Sequence, residues 1–534
     1  MADDVPLDPQ TAASTSGTIA PDGPPPPPWA PPPAGALPAP GTSTIPPQPP
    51  SAFAVAVAEF WAARRRDVPR STLVLVALAG VAGGAFLVDQ RPGLGAAVVG
   101  VLIWAAAVST LVRRRAFADL VAAVLSVALF AVVAVSEAEW LVALCIAAAL
   151  GIGAVAATSS RTGPTIAMSG LSWLAGLVRG LPWVARSGRG LAGVRRRSVL
   201  VALRSVAITV LLLVVFGSLF ASADAIFADF LPRLDLDLLP ARLVVGMLVA
   251  IGAVSLAHLT IAPPGWSGLS LPAARAARRG EWLLPILALD ALVVAFVAVQ
   301  ISALLGGHRH VLETAGLTYA EYAREGFAQL VVVTALTLVV VALAARRAPR
   351  ETARDRLLSR VALAILCVGT LGVVASALRR MDLYVEAFGL TRLRVFVVVT
   401  EIVLAVVLLL VMAAGVRWQG RWIPRAVVHV VGVAMLGLAL VNPDALILRH
   451  NTTADLDIPL DISYLRGLSA DAVPAMDRLD EPLRSCVLQR VEVEAPDGVA
   501  EWNLARDRAA RTLDVGDPVD PAHAPCYPYF GNEN

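Results

Sequence analysis

Long apolar stretches alternate with short polar segments between residues 71 and 441. A helix of about 20 apolar residues crosses the roughly 30 Å hydrocarbon core of a bilayer with its backbone groups bonded internally. The pattern therefore predicts an all-α fold, a polytopic integral membrane helical bundle with about eleven transmembrane helices. The predicted spans are Ser71–Val88, Leu94–Val112, Phe117–Val135, Trp140–Ala157, Leu203–Phe220, Leu243–Ala262, Trp282–Leu305, Phe327–Ala345, Val361–Leu378, Val395–Ala414 and Ala426–Val441.

Composition agrees with this class and excludes most soluble enzymes. Hydrophobic residues make up 57% of the chain and charged residues only 16%, far from soluble averages. We therefore expect a multi-pass protein of the cell membrane, with the lipid bilayer as its first partner. A membrane-protein partner or a small solute is a further candidate, and no segment indicates nucleic-acid binding.

The arginines predict the orientation of the chain. All 44 basic residues are arginines, and they concentrate in alternate loops. Because cytoplasmic loops carry the excess of basic residues, this alternation predicts an N-in/C-out arrangement. The residues that break the trend in one predicted outer loop are Arg379, Arg380, Arg392 and Arg394.

Five regions follow from these patterns. Residues 1–70 are Pro-rich and predicted to be a disordered cytoplasmic region, either a solvated tether or a segment for a partner that binds polyproline. The other regions are a four-helix membrane segment at 71–157, a cytoplasmic amphipathic and basic linker at 158–197, a seven-helix membrane domain at 198–441 and a small extracytoplasmic tail at 442–534.

The linker contains an amphipathic pattern. The apolar residues that recur at helical spacing are Leu171, Leu174, Val178 and Leu181. Such a helix suits the inner headgroup layer of a membrane. An ordinary membrane-surface linker is the alternative interpretation.

Three polar residues lie at predicted membrane depth, namely Asp290, Gln300 and Glu401. Ionisable groups in hydrocarbon are energetically costly and often mark ion or proton paths. For Asp290 and Glu401 we therefore hold two hypotheses, structural pairing inside the bundle and an ion or proton path.

The loop at 306–327 contains His308, His310 and Glu313, which are residue types that ligate metals. Their spacing is loose and no fourth ligand is evident, whereas zinc sites show fuller ligand sets. We predict no metal site, no cofactor and no catalytic residue.

Two cysteines in the polar tail, Cys486 and Cys526, form a candidate disulfide. A disulfide persists in an oxidising compartment, which is where an extracytoplasmic tail would lie. Cys145 and Cys367 lie in apolar stretches and are predicted to be packing residues.

Four short segments are more distinctive than their surroundings: LFASADAIF at Leu219–Phe227, GLTYAEYAREGF at Gly316–Phe327, RRMDLYVEAFGLTRLRV at Arg379–Val395 and NPDALILRHN at Asn442–Asn451. Together they resemble a family of bacterial polytopic membrane proteins, the domain of unknown function 4173, which is related to the 4153 family. The resemblance covers about Ser198 to the end of the eleventh span and, more loosely, the tail. It implies an integral membrane protein and brings no established activity.

All four segments fall on the predicted outer side of the membrane. We therefore predict an outer-face polar cluster in which acidic residues bind the arginines that break the positive-inside trend. The predicted members are Asp224, Tyr319, Glu321, Tyr322, Arg324, Arg380, Asp382, Tyr384, Glu386, Arg392 and Asp444.

The expected function is non-enzymatic: transport, sensing or envelope assembly. One alternative is a membrane enzyme that acts on a lipid-linked substrate at the outer face, with Asp224 or Glu386 as the acid–base group. A second alternative is a membrane scaffold that uses the Pro-rich N-terminus.

Overall fold

The computed structural model describes residues 68–113, 116–185, 237–266, 279–305, 327–349, 351–489, 491 and 493–520, with seven isolated positions between 204 and 220. The regular structure of these residues is helical, so the all-α prediction is confirmed. The helices are α1 Arg70–Phe86, α2 Leu94–Arg113, α3 Phe117–Ala131, α4 Glu139–Thr158, α5 at 163–185, α6 Leu239–Ile261, α7 Arg279–Leu305, α8 Phe327–Arg347, α9 Ala353–Phe388, α10 Arg392–Arg417, α11 Ile423–Val441, α12 Pro443–Thr453, α13 Ile462–Arg466, α14 Val473–Met476, α15 Leu483–Leu488 and α16 Leu504–Val515.

Nine of the described helices are long and apolar enough to cross a membrane, namely α2 to α4 and α6 to α11, where α3 is extended by a 3₁₀ turn to residue 134. Helix α1 is apolar but has only 17 residues. Most of the predicted span Leu203–Phe220 lies outside the described residues. The polytopic class is therefore confirmed, while the count of eleven spans stays a prediction.

Helix α9 is longer than the sequence predicted. It has 36 residues, which is about 54 Å at a rise of about 1.5 Å per residue, so it extends beyond the roughly 30 Å hydrocarbon core. The predicted loop after Leu378 is therefore wrong up to residue 388. Hydropathy reports where the bilayer ends, whereas the helix continues until Gly389, which adopts a positive φ of 73°.

Two hydrophobic cores organise the bundle. The first core joins α2, α3, α4 and α11 with residues of α6 and of the polar tail, and its fully buried side chains include Leu129, Leu141 and Ile447. The second core joins α7, α8 and α9 around residues such as Leu366. Helix α10 contributes to both, since Val395 packs in the first core and Leu408 in the second.

Helices α1 and α6 approach each other closely through glycines. A Cβ added at Gly84 would lie 2.5 Å from the Arg242 carbonyl oxygen, and one added at Gly246 would lie 2.6 Å from the Gly80 carbonyl oxygen. Small residues allow such backbone contact between membrane helices, where dispersion contacts drive association.

The polar tail packs onto one end of the bundle, which we call the tail end. The tail residues Leu465, Val473 and Met476 are fully buried in the first core. They share this core with Leu141 of α4 and Leu438 of α11. The apolar side chains of the tail therefore stabilise the same core as the membrane helices.

The tail also satisfies backbone groups at the ends of membrane helices. The first N–H groups of α2 donate to the tail, from Leu94 to the Trp502 carbonyl and from Gly95 to the Ala500 carbonyl, both at 2.8 Å. A helix leaves its first N–H groups without internal partners. The tail backbone thus takes the place of an N-terminal capping residue for α2.

Side chains of the tail cap two further helices. The Asp471 carboxylate accepts the N–H groups of Glu137 and Ala138, at 2.7 and 3.0 Å, just before α4 begins. The Asn503 amide donates to the carbonyls of Val133 and Ser136 after α3, at 2.9 and 3.0 Å. These contacts place the loop at 132–138 at the tail end.

Other contacts define the opposite end of the bundle. Arg425, next to the start of α11, donates to the Ser160 carbonyl after α4. Trp266, after α6, donates to the Thr158 carbonyl. The loops that meet at each end are those that the arginine pattern assigned to one side together. Which end faces the cytoplasm stays a prediction.

We predict that Asn503→Asp and Asn503→Ala both lower the thermal stability of the protein in detergent. Asn503 is 1% exposed, and losing its two donor bonds leaves buried carbonyls unbonded, at about 1–3 kcal/mol for each such group. The aspartate variant retains an acceptor for the Ala505 and Arg506 N–H groups at the start of α16. A stable Asn503→Asp variant would show that Asn503 caps only α16 and does not fix the tail to α3.

Candidate functional site

Arg392 and Asp444 form a bidentate charge pair at the tail end. Arg392 Nε donates to Asp444 Oδ1 at 3.0 Å, and its Nη2 donates to Oδ2 at 2.6 Å. The Asp444 side chain is 1% exposed, and its carboxylate also accepts the Ser469 N–H at 2.9 Å. One carboxylate therefore joins α10, α12 and the tail segment before α14.

Local capping positions this pair. Thr391 begins α10, and its side chain accepts the Arg394 N–H. Asn442 lies between α11 and α12 with a positive φ, and its side chain accepts the Ala445 N–H at 3.2 Å. Threonine and asparagine are favoured N-cap residues, so the sequence itself fixes where both helices begin.

Burial raises the pKa of the Asp444 carboxyl, but the hydrogen bonds from Arg392 and Ser469 outweigh it and hold the pKa below its ordinary value of 3.8. Burial also raises the pKa of Asp471, and there it exceeds the effect of the N–H and hydroxyl donors. Of these two aspartates, only Asp444 has an arginine as a direct partner. This difference explains why the pKa of Asp444 is lowered while that of Asp471 is raised.

The extension of α9 carries a second, exposed group of charges. Arg379 pairs with Asp382 at 2.5 Å and with Glu386 at 3.9 Å, and these side chains are 44%, 56% and 60% exposed. Arg394 lies over the Tyr384 ring at 4.2 Å and donates to the Phe388 carbonyl.

The structure therefore divides the predicted outer-face polar cluster. It joins Arg392 to Asp444, and it places Asp382, Tyr384 and Glu386 on the helical extension of α9, where Arg380 lies half-buried. The predicted members outside the described residues are Asp224, Tyr319, Glu321, Tyr322 and Arg324. A single network of all these residues stays a prediction.

A buried ion pair at the opposite end was not predicted from the sequence. Asp119 pairs with Arg425, and the Ser159 hydroxyl donates to the Asp119 carboxylate at 2.8 Å. The His429 ring lies within hydrogen-bond distance of the Arg425 and Ala118 carbonyl oxygens, at 2.7 and 3.2 Å. In the sequence, Asp119 lies at the start of an apolar stretch, and Arg425 ends an arginine-rich loop predicted to lie on the same side of the membrane. We used the arginines only to predict orientation and did not predict the ion pair.

Two carboxylates in the membrane helices have no hydrogen-bond partner. Glu401 of α10 is fully buried and Asp290 of α7 is 5% exposed, and all four carboxylate oxygens are unbonded. Within the described part of the chain, neither residue forms an ion pair. Such a group in hydrocarbon carries a large desolvation penalty when it is ionised.

Glu401 lies on a defined face of α10. Ala405, Leu408 and Met412 follow at helical spacing, and all three belong to the second core. Glu401 therefore lies toward α8 and α9. The third predicted intramembrane residue, Gln300, accepts a bond from the Ser376 hydroxyl at 3.0 Å, which links α7 to α9.

No group of three His, Cys, Asp or Glu side chains among the described residues could hold a metal ion. His308, His310 and Glu313 lie outside the described residues.

Cys486 is fully buried and disulfide-bonded. Its predicted partner, Cys526, lies outside the described residues, so the pairing stays a prediction. Cys145 and Cys367 are buried free thiols within helices, in agreement with a packing role.

Comparison with known proteins identifies a family. A family model described as a domain of unknown function (DUF4153) matches residues 120–479, more than half of the chain. The chain belongs to the DUF4153 family. Searches of curated proteins and of solved structures each returned no match.

The DUF4153 match covers more of the chain than the sequence resemblance did. It begins within α3, well before Ser198, and it ends in the tail after α14. Arg392, Asp444, Asp471 and Glu401 all lie inside the matched range. The family model therefore includes the membrane helices and a part of the tail that packs on them.

We predict that Arg392→Ala lowers stability far more than Arg379→Ala. Removing Arg392 leaves the buried Asp444 carboxylate without its counter-charge, which costs roughly 3–5 kcal/mol. The exposed pairs of Arg379 contribute only about 0–1 kcal/mol. Thermal unfolding in detergent measures both variants, and equal small losses would contradict a buried pair at Arg392.

We also predict a pH-dependent contribution from Asp444. Because its folded pKa is depressed, its stabilisation is complete above the ordinary value of 3.8 and is lost as the pH falls through the lower folded pKa. The difference in melting temperature between wild type and Asp444→Asn should be constant between about pH 7 and pH 5 and shrink in stronger acid.

The charge of Asp444 contributes, least among the causes, to the raised pKa of Asp471, so Asp444→Asn also changes the titration of Asp471 slightly. Asp382→Asn is the matched control, because Asp382 is exposed and paired only at the surface. If the difference in melting temperature between wild type and Asp444→Asn grew on acidification, the lowered pKa of Asp444 would be wrong.

Proposed function

We propose that this DUF4153 protein is a non-enzymatic transporter of the cell membrane that carries a proton on Glu401. The observation that carries the proposal is the complete burial of Glu401, with both carboxylate oxygens unbonded, in a membrane helix. Intramembrane carboxylates of this kind mark proton relays in pumps and transporters.

Glu401 fits a proton better than a metal cation. Hard cations require several oxygen ligands, whereas the neighbours of Glu401 on its helix face are Ala405 and Leu408. A proton needs one carboxylate oxygen and removes the charge altogether. The neutral acid then lies in an apolar core without a counter-charge.

The position of α10 supports a role in conformational change. Among the described helices, α10 contributes buried side chains to both the first core, through Val395, and the second, through Leu408. A charge that appears or disappears at Glu401 changes the free energy of packing between α10 and the second core. Proton binding would thereby favour one arrangement of the two cores over another.

Asp290 is a second candidate for the same path. It lies on α7 between Ile286 and Val293, which are both buried in the second core. Both carboxylates therefore border one core, and a path between them would run along α7, α9 and α10.

Several finer expectations belong to this proposal. The protein would lie in the cell membrane with an N-in/C-out orientation, so that the tail covers the outer ends of the helices. Its partner would be a small solute moved together with the proton. Membership of the related 4173 family also stays part of the proposal.

The enzymatic alternative has less support from the geometry. Glu386 is 60% exposed on the surface of the α9 extension and pairs with Arg379. Acid–base groups in enzymes lie in clefts that shift their protonation. Asp224, the other candidate, lies outside the described residues.

We predict that Glu401→Gln abolishes proton movement. The protein would be reconstituted into vesicles that contain a pH-sensitive dye, and a potassium diffusion potential would be applied in the presence of a panel of small solutes. Wild-type vesicles should acidify faster than empty vesicles. Glu401→Gln should match empty vesicles while unfolding at nearly the wild-type temperature, since glutamine replaces a neutral acid of the same shape.

Glu386→Gln is the matched control, with the same chemical change at an exposed site, and it should retain the wild-type rate. Equal rates in wild type and Glu401→Gln would contradict the proposal. Loss in Glu386→Gln alone would also contradict the proposal, because it would assign the proton site to the α9 extension.

A further inference from the structure

Helix α5 lies across one end of the bundle instead of through it. It begins just after Ser160, whose hydroxyl donates to the Thr165 carbonyl at 3.1 Å. Near its other end, Trp183 packs with Val68 before α1 and with Ile261 at the end of α6. Ser160 and Ile261 both lie at the end opposite the tail, so both ends of α5 lie there too.

One face of α5 is fixed to α6. Gly176 and Gly180 face Ser255 and Val254 so closely that an added Cβ would clash. The Ser255 hydroxyl also donates to the Trp173 carbonyl at 3.0 Å. The amphipathic segment is therefore a helix attached along one side, not a loose linker.

The opposite face of α5 is apolar and exposed. The exposed side chains are Met168 at 40%, Leu171 at 57%, Leu174 at 62%, Val178 at 74% and Leu181 at 49%. They recur every three or four residues and form one stripe along the helix. These include the four residues whose spacing predicted an amphipathic helix.

Helix α5 contacts α6 near the end of α6. Trp173 packs against Gly252 and Ser255, six to nine residues before the end of α6. At about 1.5 Å per residue this is roughly 9–14 Å from that helix end. The lower limit of this range falls within the depth of about 5–10 Å at which amphipathic interfacial helices bury their apolar face.

The charge of the surrounding sequence indicates which surface covers the stripe. Residues 140–223 contain eight arginines and no aspartate or glutamate. Arg161 and Arg179 lie in the described part of this segment, just before and within α5. An anionic lipid leaflet complements both the apolar stripe and the positive charge.

We propose that α5 is a docking surface for anionic phospholipid. Its stripe of Leu171, Leu174, Val178 and Leu181 inserts among the acyl chains, and Arg161 and Arg179 beside it attract acidic headgroups. The proposal is independent of proton transport by Glu401.

The test uses single cysteines at exposed positions of the full-length protein. Leu174→Cys and Val178→Cys would each be labelled with a small fluorophore and reconstituted into vesicles of phosphatidylcholine and phosphatidylglycerol. Quencher groups would be attached near the headgroup end of the acyl chains of one lipid at a time. Val499→Cys is the control, because Val499 is 78% exposed on the tail.

Both α5 positions should be quenched, and the tail position should not. Quenching by labelled phosphatidylglycerol should exceed that by labelled phosphatidylcholine, by about five-fold for one arginine close to the leaflet, and added salt should reduce the excess. Quenching no stronger than at residue 499 would overturn the docking surface. Equal quenching by the two lipids at every salt concentration would overturn the preference for acidic headgroups. Crosslinking from residue 178 to a co-purifying protein would overturn the lipid assignment and assign the stripe to that protein.

Discussion

Satisfaction of helix ends is the constraint on which the bundle depends. Each membrane helix leaves backbone groups without internal partners at its termini, and these groups lie where water becomes scarce. The tail meets this need at one end. Its backbone accepts the first N–H groups of α2, Asp471 accepts those before α4, and Asn503 donates to the carbonyls after α3. The tail and the helices then form one hydrophobic core.

Two buried ion pairs in the described residues also lie at the helix ends. Arg392 and Asp444 are paired at the tail end, and Asp119 and Arg425 are paired at the opposite end. Both pairs lie where a helix begins, so they fix helices to each other without placing a charge in hydrocarbon. Asp290 and Glu401 lie between these ends with unbonded carboxylates. Their burial without a partner among the described residues is the observation on which we base the proposal that they bind a proton.

Sequence patterns predicted the features that depend on local composition. Hydropathy located the nine membrane-length helices of the described residues, because the bilayer imposes their length, and the arginine alternation grouped the described loops that meet at each end. The helical extension after Leu378 was missed because hydropathy does not report where a polar helix stops. The contact of Asn503 with Val133 joins residues 370 positions apart, and the pair of Asp119 and Arg425 joins residues 306 apart. Neither contact leaves a periodic signal, so only the structure reveals them.

The central claim is that Glu401 is a neutral acid within the bundle, and infrared spectroscopy of the purified protein tests it most directly. A protonated carboxyl group has a carbonyl stretching band that is separate from the bands of carboxylates and amides. At neutral pH the wild-type protein should show this band, and Glu401→Gln should lose part of it while Glu386→Gln retains it in full. Identical spectra for wild type and Glu401→Gln in the region of that band would show that Glu401 is ionised and would contradict the account.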